Sequence, residues 1–375
     1  MISIKKVEIM KKILKIILNK KSEILLLLIT CIIMLFIFEI GLRLFWSEPV
    51  YGKYGYPDGL HIPDDTKGFK YRPNFSGFFP NYPYNNIEIQ INSKGLRDFE
   101  HDYDKQDGVI RILGLGDSVT FGAGVKFEDT YLAQLEKKLI GAGHEAEIIK
   151  AGVNSYEFSQ IKTYYYEEGY KYNPDIVIYG FVLRDIRTIN VSFLENEYLK
   201  RQQKYNSNSI GFIENKNYCT FCRFLKSFLT YRNVTSELKQ REKYNQIFSN
   251  HVLSLWNNTE YDDFENEFLL FNEKLKENDV KLILLIYPYT EQFINVSTSP
   301  QQKLKKLANL NEISYIDLMD YINFENFEDY YLGGDHVHLN SAGYRIVSNL
   351  LFDKLNDEKL LFSNDLKIDD NDIII

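Results

Sequence analysis

Apolar positions follow three different rhythms along the chain, and each predicts a different kind of element. The first is an unbroken apolar run, Ile24 to Phe38, which Ile40, Leu42, Leu44, Phe45 and Trp46 extend with only Glu39 and Arg43 as charged interruptions. A helix over 24–46 measures roughly 34 Å at about 1.5 Å per residue, slightly more than a hydrocarbon core of about 30 Å. The run predicts a transmembrane helix. Glu39 and Arg43, four apart, fall on one face near one end, where they can pair and reach the headgroups. The run is longer than the apolar core of a signal peptide, and no A-x-A-like site follows it directly, so the expectation is an uncleaved anchor.

The second rhythm begins at Val109, where short apolar runs alternate with helical stretches: VIRILGL, TYLAQLEKKLI, AEIIKAG, a Tyr-rich helix, then DIVIYGFVL. VKLILLIYP at 280–288 and ISYIDL at 313–318 resume it. Apolar strands separated by helices predict a parallel sheet covered on both faces, here with five strands. Asp129 is the candidate N-cap of the helix from Thr130, and Gly141 or Gly143 its stop.

The third pattern is the absence of a long period. Residues 47–86 are rich in Tyr, Phe, Pro, Gly and Asn, which favours irregular backbone and reads as an arm. Its aromatics pin the arm to the domain surface or stack on sugar rings. IEIQINS at 87–93 alternates as a strand and ends at the Lys94-Gly95 turn. About 190–278 is polar, charged and mostly helical in pattern, an insertion capping the sheet. The expected organisation is a basic cytoplasmic segment at 1–23, the anchor at 24–46, the arm at 47–86, an α/β domain at 87–355 and a loosely held tail at 356–375.

Charge and composition narrow this picture. Lys5, Lys6, Lys11, Lys12, Lys15, Lys20 and Lys21 precede the apolar run, whereas Glu48, Asp58, Asp64 and Asp65 follow it, which places the N-terminus in the cytoplasm and the rest outside. The net charge of -8, with no basic stripe in the folded part, makes nucleic acid an unsuitable partner. Three cysteines exclude a disulfide-dense scaffold. Cys219-Thr220-Phe221-Cys222 lacks two further ligands nearby for a metal, leaving a local disulfide or two free thiols.

Two segments carry candidate chemistry. Gly114-Leu115-Gly116-Asp117-Ser118 follows a predicted strand directly, which puts Ser118 at the carboxyl edge of the sheet, where α/β proteins bind ligands. Asp335 and His338 stand three apart in a loop before the last helix, a spacing at which a local turn can aim a ring nitrogen at the carboxylate. A serine needs a neutral imidazole to take its proton, and a carboxylate to hold that imidazole's tautomer. His336 competes as the base; its position adjacent to the acid favours His338. Asp117 and Asp185 serve as hydrogen-bonding supports for their loops.

Six segments, INSKGLRD, RILGLGDSVTFGAGV, EDTYLAQLE, IIKAGVNSYEFSQ, NPDIVIYGFVLRDI and DHVHLNSAGYRIV, resemble in order the blocks of the SGNH, or GDSL-type, hydrolase superfamily, in its membrane-anchored bacterial branch. The similarity runs from about Ile91 to Leu355, interrupted by the insertion. The resemblance implies a three-layer α/β/α domain, Ser118 as nucleophile, a His338/Asp335 pair, and no metal or organic cofactor. In the family the oxyanion hole combines the nucleophile's N–H, a glycine N–H and an asparagine side chain. Ser155 occupies the glycine position here and Arg184 the asparagine position. Ser155 keeps its backbone donor. Arg184 either replaces the amide, binds an anionic substrate group, or points away in a domain that has lost activity. The expectation is a membrane-anchored esterase acting on an O-acyl group, with polysaccharide as the acylated partner by family analogy. The rivals are an acyltransferase using the same serine and a noncatalytic carbohydrate-binding or assembly protein.

Overall fold

The computed structural model describes residues 20–45, 57, 59–78, 87–187, 246–257, 259–295, 297–323 and 325–361. Most of the basic N-terminal segment, Trp46, much of the arm, most of the insertion with Cys219 and Cys222, and most of the tail lie outside the described residues. The described residues fall in two compact units, one with the first helix and the other with everything from residue 57 onward.

Helix α1 (Lys21–Phe45) makes up the described part of the first unit. It is long and apolar enough to cross a membrane, a property that signal sequences share. The expected charge pair is present: Arg43 Nε donates to Glu39 Oε1 at 2.9 Å, one helical turn away.

In the second unit two short antiparallel pairs come first: β1 (His61–Asp64) with β2 (Gly68–Tyr71), and β3 (Ser76–Phe78) with β4 (Glu88–Gln90). Thus the arm, though without long elements, is partly regular, and the alternation at 87–93 does mark a strand. Ile87, Ile89 and Ile91 point inward, and Gly95 turns the chain at φ 82°.

Then come β5 (Ile110–Gly116), α2 (Ser118–Phe121), α3 (Tyr131–Gly141), β6 (Ala146–Gly152), α4 (Phe158–Glu167) and β7 (Ile176–Val182). After a helical segment at 246–255 follow α5 (Thr259–Lys276), β8 (Lys281–Tyr287), α6 (Thr290–Asn295), α7 (Ser299–Leu310), β9 (Ser314–Asp317) and α8 (Ser341–Asp357). Strands β5 to β9 form one five-stranded parallel sheet in the order β6-β5-β7-β8-β9. Every residue of β5 and β7 is buried, so these strands read as apolar runs, broken only by Arg111 in β5, rather than alternating ones.

Helices cover both faces, giving three layers. On one face α3 packs with α8, where the rings of Tyr131 and Tyr344 stack at 6.0 Å, and Tyr287 of β8 approaches Tyr131 at 6.3 Å. On the other, Phe158 at the start of α4 meets Phe264, Phe268 and Phe271 of α5 and Tyr179 of β7. Helix α5, read from sequence as the end of the insertion, runs directly into β8 and packs against it.

One local expectation is corrected. Thr130, not Asp129, caps α3: its hydroxyl accepts from Ala133 N at 3.4 Å. The helix starts one residue later than the sequence suggested, and Asp129 is left to accept from Ser341 Oγ at 3.2 Å.

Candidate active site

Chain order across the sheet is 2-1-3-4-5, so the direction of winding reverses between β5 and β7, the crevice where open α/β sheets take ligands. Three glycines lie in register at that end: Gly116 pairs with Gly152 on one side and Gly180 on the other. A Cβ on Gly116 would stand 2.2 Å from Thr120 Oγ1, and one on Gly152 would stand 2.2 Å from the backbone N of Phe121. Only bare backbone lets the short helix α2 settle onto the strand ends. Asp117 starts that helix by accepting from Val119 N at 2.9 Å, which fixes Ser118 as its first residue, largely buried.

His338 and Asp335 arrive from the loop between β9 and α8. That loop is tied at both ends, by Leu332 N donating to His338 O at 2.9 Å and by Asn340 capping α8 through Ala342 N and Gly343 N. Asp335 Oδ1 accepts from the backbone N of Val337 and of His338, and from His338 Nδ1, each at 2.9 Å. On the far side of the ring His338 Nε2 lies 2.7 Å from Ser118 Oγ. Burial works against the Asp335 charge, but His338, His336 and the backbone N–H groups outweigh it and hold the carboxyl far below the usual carboxylate range. An ionised carboxylate only accepts, so the Nδ1 proton faces Asp335, and Nε2 is the ring nitrogen turned to the serine hydroxyl.

Arg184 stands in the 3₁₀ turn Leu183–Ile186 after β7 and pairs with Asp117 Oδ2. The same oxygen lies 3.2 Å from Ser118 Oγ. Burial disfavours the Arg184 charge, yet Asp117 more than restores it, raising the guanidinium above its ordinary value. Its remaining N–H groups have no hydrogen-bond partner among the described residues. Asp185 beside it is fully buried and accepts from Tyr179 Oη at 2.8 Å and Val182 N at 3.3 Å. Burial, then the Asp117 charge, push its pKa well above the usual carboxylate range. Trp256 Nε1 pins the turn from outside by donating to Leu183 O at 3.0 Å.

Ser155 stands one strand over, in the turn after β6. Val153 N donates to Gly116 O and Tyr156 N to Val153 O, each at 3.1 Å, with Ser155 at φ 68° in the third position. That is the signature of a type II turn, which glycine fills most readily.

The structure thus brings Ser118, His338 and Asp335 into one hydrogen-bonded line, joins Arg184 to it through Asp117, and sets Ser155 at the neighbouring strand end. His336 stays outside the line: its ring packs edge-on against Tyr289 at 5.1 Å and against Phe248 at 5.8 Å. The sequence reading missed the segment after β8, where Thr290 N donates to His336 O at 2.9 Å and buried Glu291 accepts from Ser249 Oγ at 2.9 Å. Burial raises the Glu291 pKa and the Asp335 charge adds to it. Its place at the carboxyl end of a predicted strand was the available signal. Among the described residues no three His, Cys, Asp or Glu side chains group as metal ligands.

No family model matches the sequence, and no curated relative matches it. Solved structures similar to it include the acetyl xylan esterase AlAXEase, at 18% identity and TM-score 0.36 over 65% of this chain and 98% of that one. A protein assigned to the G-D-S-L lipolytic family from Desulfitobacterium hafniense matches at 14% identity and TM-score 0.35, over 65% and 99%. A catalytic mutant of an acetylxylan esterase from Geobacillus stearothermophilus matches at 14% and 0.39, over 66% and 94%. Likeness of this extent says nothing about the reaction, which is read from the side chains.

Proposed function

We propose that this chain is a membrane-anchored serine hydrolase of the SGNH type, cleaving O-acyl esters of a cell-surface carbohydrate. The observation that carries the reading is the line from Ser118 Oγ through His338 to Asp335, with contacts of 2.7 and 2.9 Å. In it His338 Nε2 takes the hydroxyl proton as Ser118 Oγ attacks the acyl carbonyl carbon, and Asp335 stabilises the imidazolium that forms. The imidazolium then returns that proton to the departing sugar oxygen, leaving an acyl-serine. Water, deprotonated by the same imidazole, releases the acid and restores the hydroxyl.

Developing charge on the carbonyl oxygen needs donors that are already in place. The N–H groups of Ser118 and Ser155 supply two, and Arg184, whose other N–H groups have no partner among the described residues, supplies the third in place of the family's asparagine. Because Asp117 balances the guanidinium, Arg184 acts as a local donor rather than as a magnet for anionic substrates. Helix α1 is the anchor, and the lysines ahead of it set the domain outside the membrane. A carbohydrate substrate follows from that location and from the family resemblance.

The test is hydrolysis of p-nitrophenyl acetate by the detergent-solubilised full-length chain. Ser118→Ala is expected to lower kcat/KM at least about 10³-fold with the fold intact. Equal rates for the two proteins overturn the proposal and leave the noncatalytic reading.

A further inference from the structure

The turn that carries Ser155 is gripped from both sides by strand β2 of the arm. Ahead of Ser155, Asn154 N donates to Tyr71 Oη at 2.8 Å; behind it, Tyr156 Oη donates to Phe69 O at 2.6 Å. One helical turn later Gln160 Nε2 donates to Lys67 O at 2.6 Å. The rings repeat the pattern. Phe69 lies 5.3 Å from Tyr156, and Tyr71, fully buried, lies 5.3 Å from Phe121 at the end of the Ser118 helix. His61 of β1 packs against both Phe69 and Tyr71, and its burial pushes its pKa down to about 4, so the arm's contact layer stays uncharged at neutral pH. Lys67, paired with Asp64 at 2.9 Å and with Glu167 of α4, fastens the other end of the strand.

Such a grip answers a specific need. Ser155 holds a left-handed φ that L side chains enter at a cost, and the turn's own hydrogen bond, Tyr156 N to Val153 O, is common to type I and type II turns. The two types differ by a flip of the Asn154–Ser155 peptide, which reverses the direction of the Ser155 N–H. Contacts from β2 fix the chain immediately before and after that peptide.

We propose that the arm is a positioning element, in which Tyr71 sets the direction of the Ser155 N–H through its bond to Asn154 N. The proposal rests on the esterase reading above, in which that N–H faces the oxyanion. Tyr71 touches neither substrate nor nucleophile; it acts through the turn.

Tyr71→Phe in the full-length protein keeps the ring and removes the acceptor. Rates are measured per active site, counted by titration with a fluorophosphonate. The expected result is a fall in kcat for p-nitrophenyl acetate of about 10-fold or more with KM within twofold, because an oxyanion donor acts on the transition state and not on ground-state binding. Tyr103→Phe, which removes a surface hydroxyl bonded to Glu168, is the control and leaves kcat unchanged. If Tyr71→Phe does not fold, Tyr156→Phe carries the same test from the other side of the turn. Unchanged kcat per titrated site, or a loss seen only as fewer titratable sites, overturns the positioning role while leaving the esterase reading intact. A wild-type protein that neither hydrolyses the ester nor reacts with the fluorophosphonate overturns that reading itself.

Discussion

Two buried clusters of charge sit on neighbouring strands, and they are built differently. At the edge of the sheet Lys150 of β6 uses all three of its N–H groups, on Asp98 Oδ1 at 3.0 Å, Glu136 Oε2 at 2.8 Å and Ile148 O at 2.9 Å. Arg111 of β5 is similarly occupied, by Glu147, Tyr103 O, Tyr172 O and Asp104 O. His101 bridges Asp98 and Glu147 at 2.9 and 2.6 Å. Every cation there is saturated, and the cluster fastens the segment ahead of β5 to the sheet. At the carboxyl end of β7, Arg184 by contrast has Asp117 as its one side-chain partner among the described residues. A buried charge with all its donors satisfied has no capacity left for a ligand, whereas one held by a single partner beside a serine–histidine pair does. The difference separates structural charge from the charge we assign to chemistry.

The comparison breaks most visibly at Lys150. Lys150→Met removes the ammonium shared by Asp98 and Glu136 and is expected to cost about 3–5 kcal/mol of stability, read by denaturant unfolding. The kcat of the molecules that remain folded should not change. Arg184→Met inverts this pattern: about 10²-fold lower kcat with KM little altered, and a smaller loss of stability. A stability loss with full activity at Arg184 would make it one more structural cation.

The smallest effect concerns pH. Burial opposes the His101 charge, but Asp98 and Glu147 raise its pKa above the ordinary value of 6.5. A raised pKa contributes stability that is fully present below the unfolded value and is lost as pH rises through the folded one. Unfolding free energy should therefore decline modestly as pH climbs above about 6.5. His101→Gln should flatten that decline; an identical slope in the variant would assign it to other groups.

What sequence could reveal follows from which contacts are local. The five strands were legible because strands covered on both faces are mostly apolar, and the Asp335–His338 turn because its partners stand three residues apart. The Ser118–His338 contact spans 220 positions and became readable only through an ordered set of motifs. No such pattern announces that Arg184 reaches Asp117, or that Tyr71 reaches Asn154 across 83 positions, since a tyrosine in a Pro/Gly-rich stretch looks the same whether it coats a surface or supports a turn. Thr130 and Asp129 are residue types that both cap well, so sequence alone did not separate them; in the fold Thr130 caps and Asp129 engages Ser341 from another part of the chain.

The claim beneath all of this is that His338 makes the Ser118 hydroxyl nucleophilic. Mass spectrometry of the full-length protein after brief treatment with a fluorophosphonate tests it most directly. The account predicts one adduct, on the peptide containing Ser118, formed quickly by the wild type and at least about 10³-fold more slowly by His338→Ala. No adduct at Ser118, or the same labelling rate in both proteins, would contradict it.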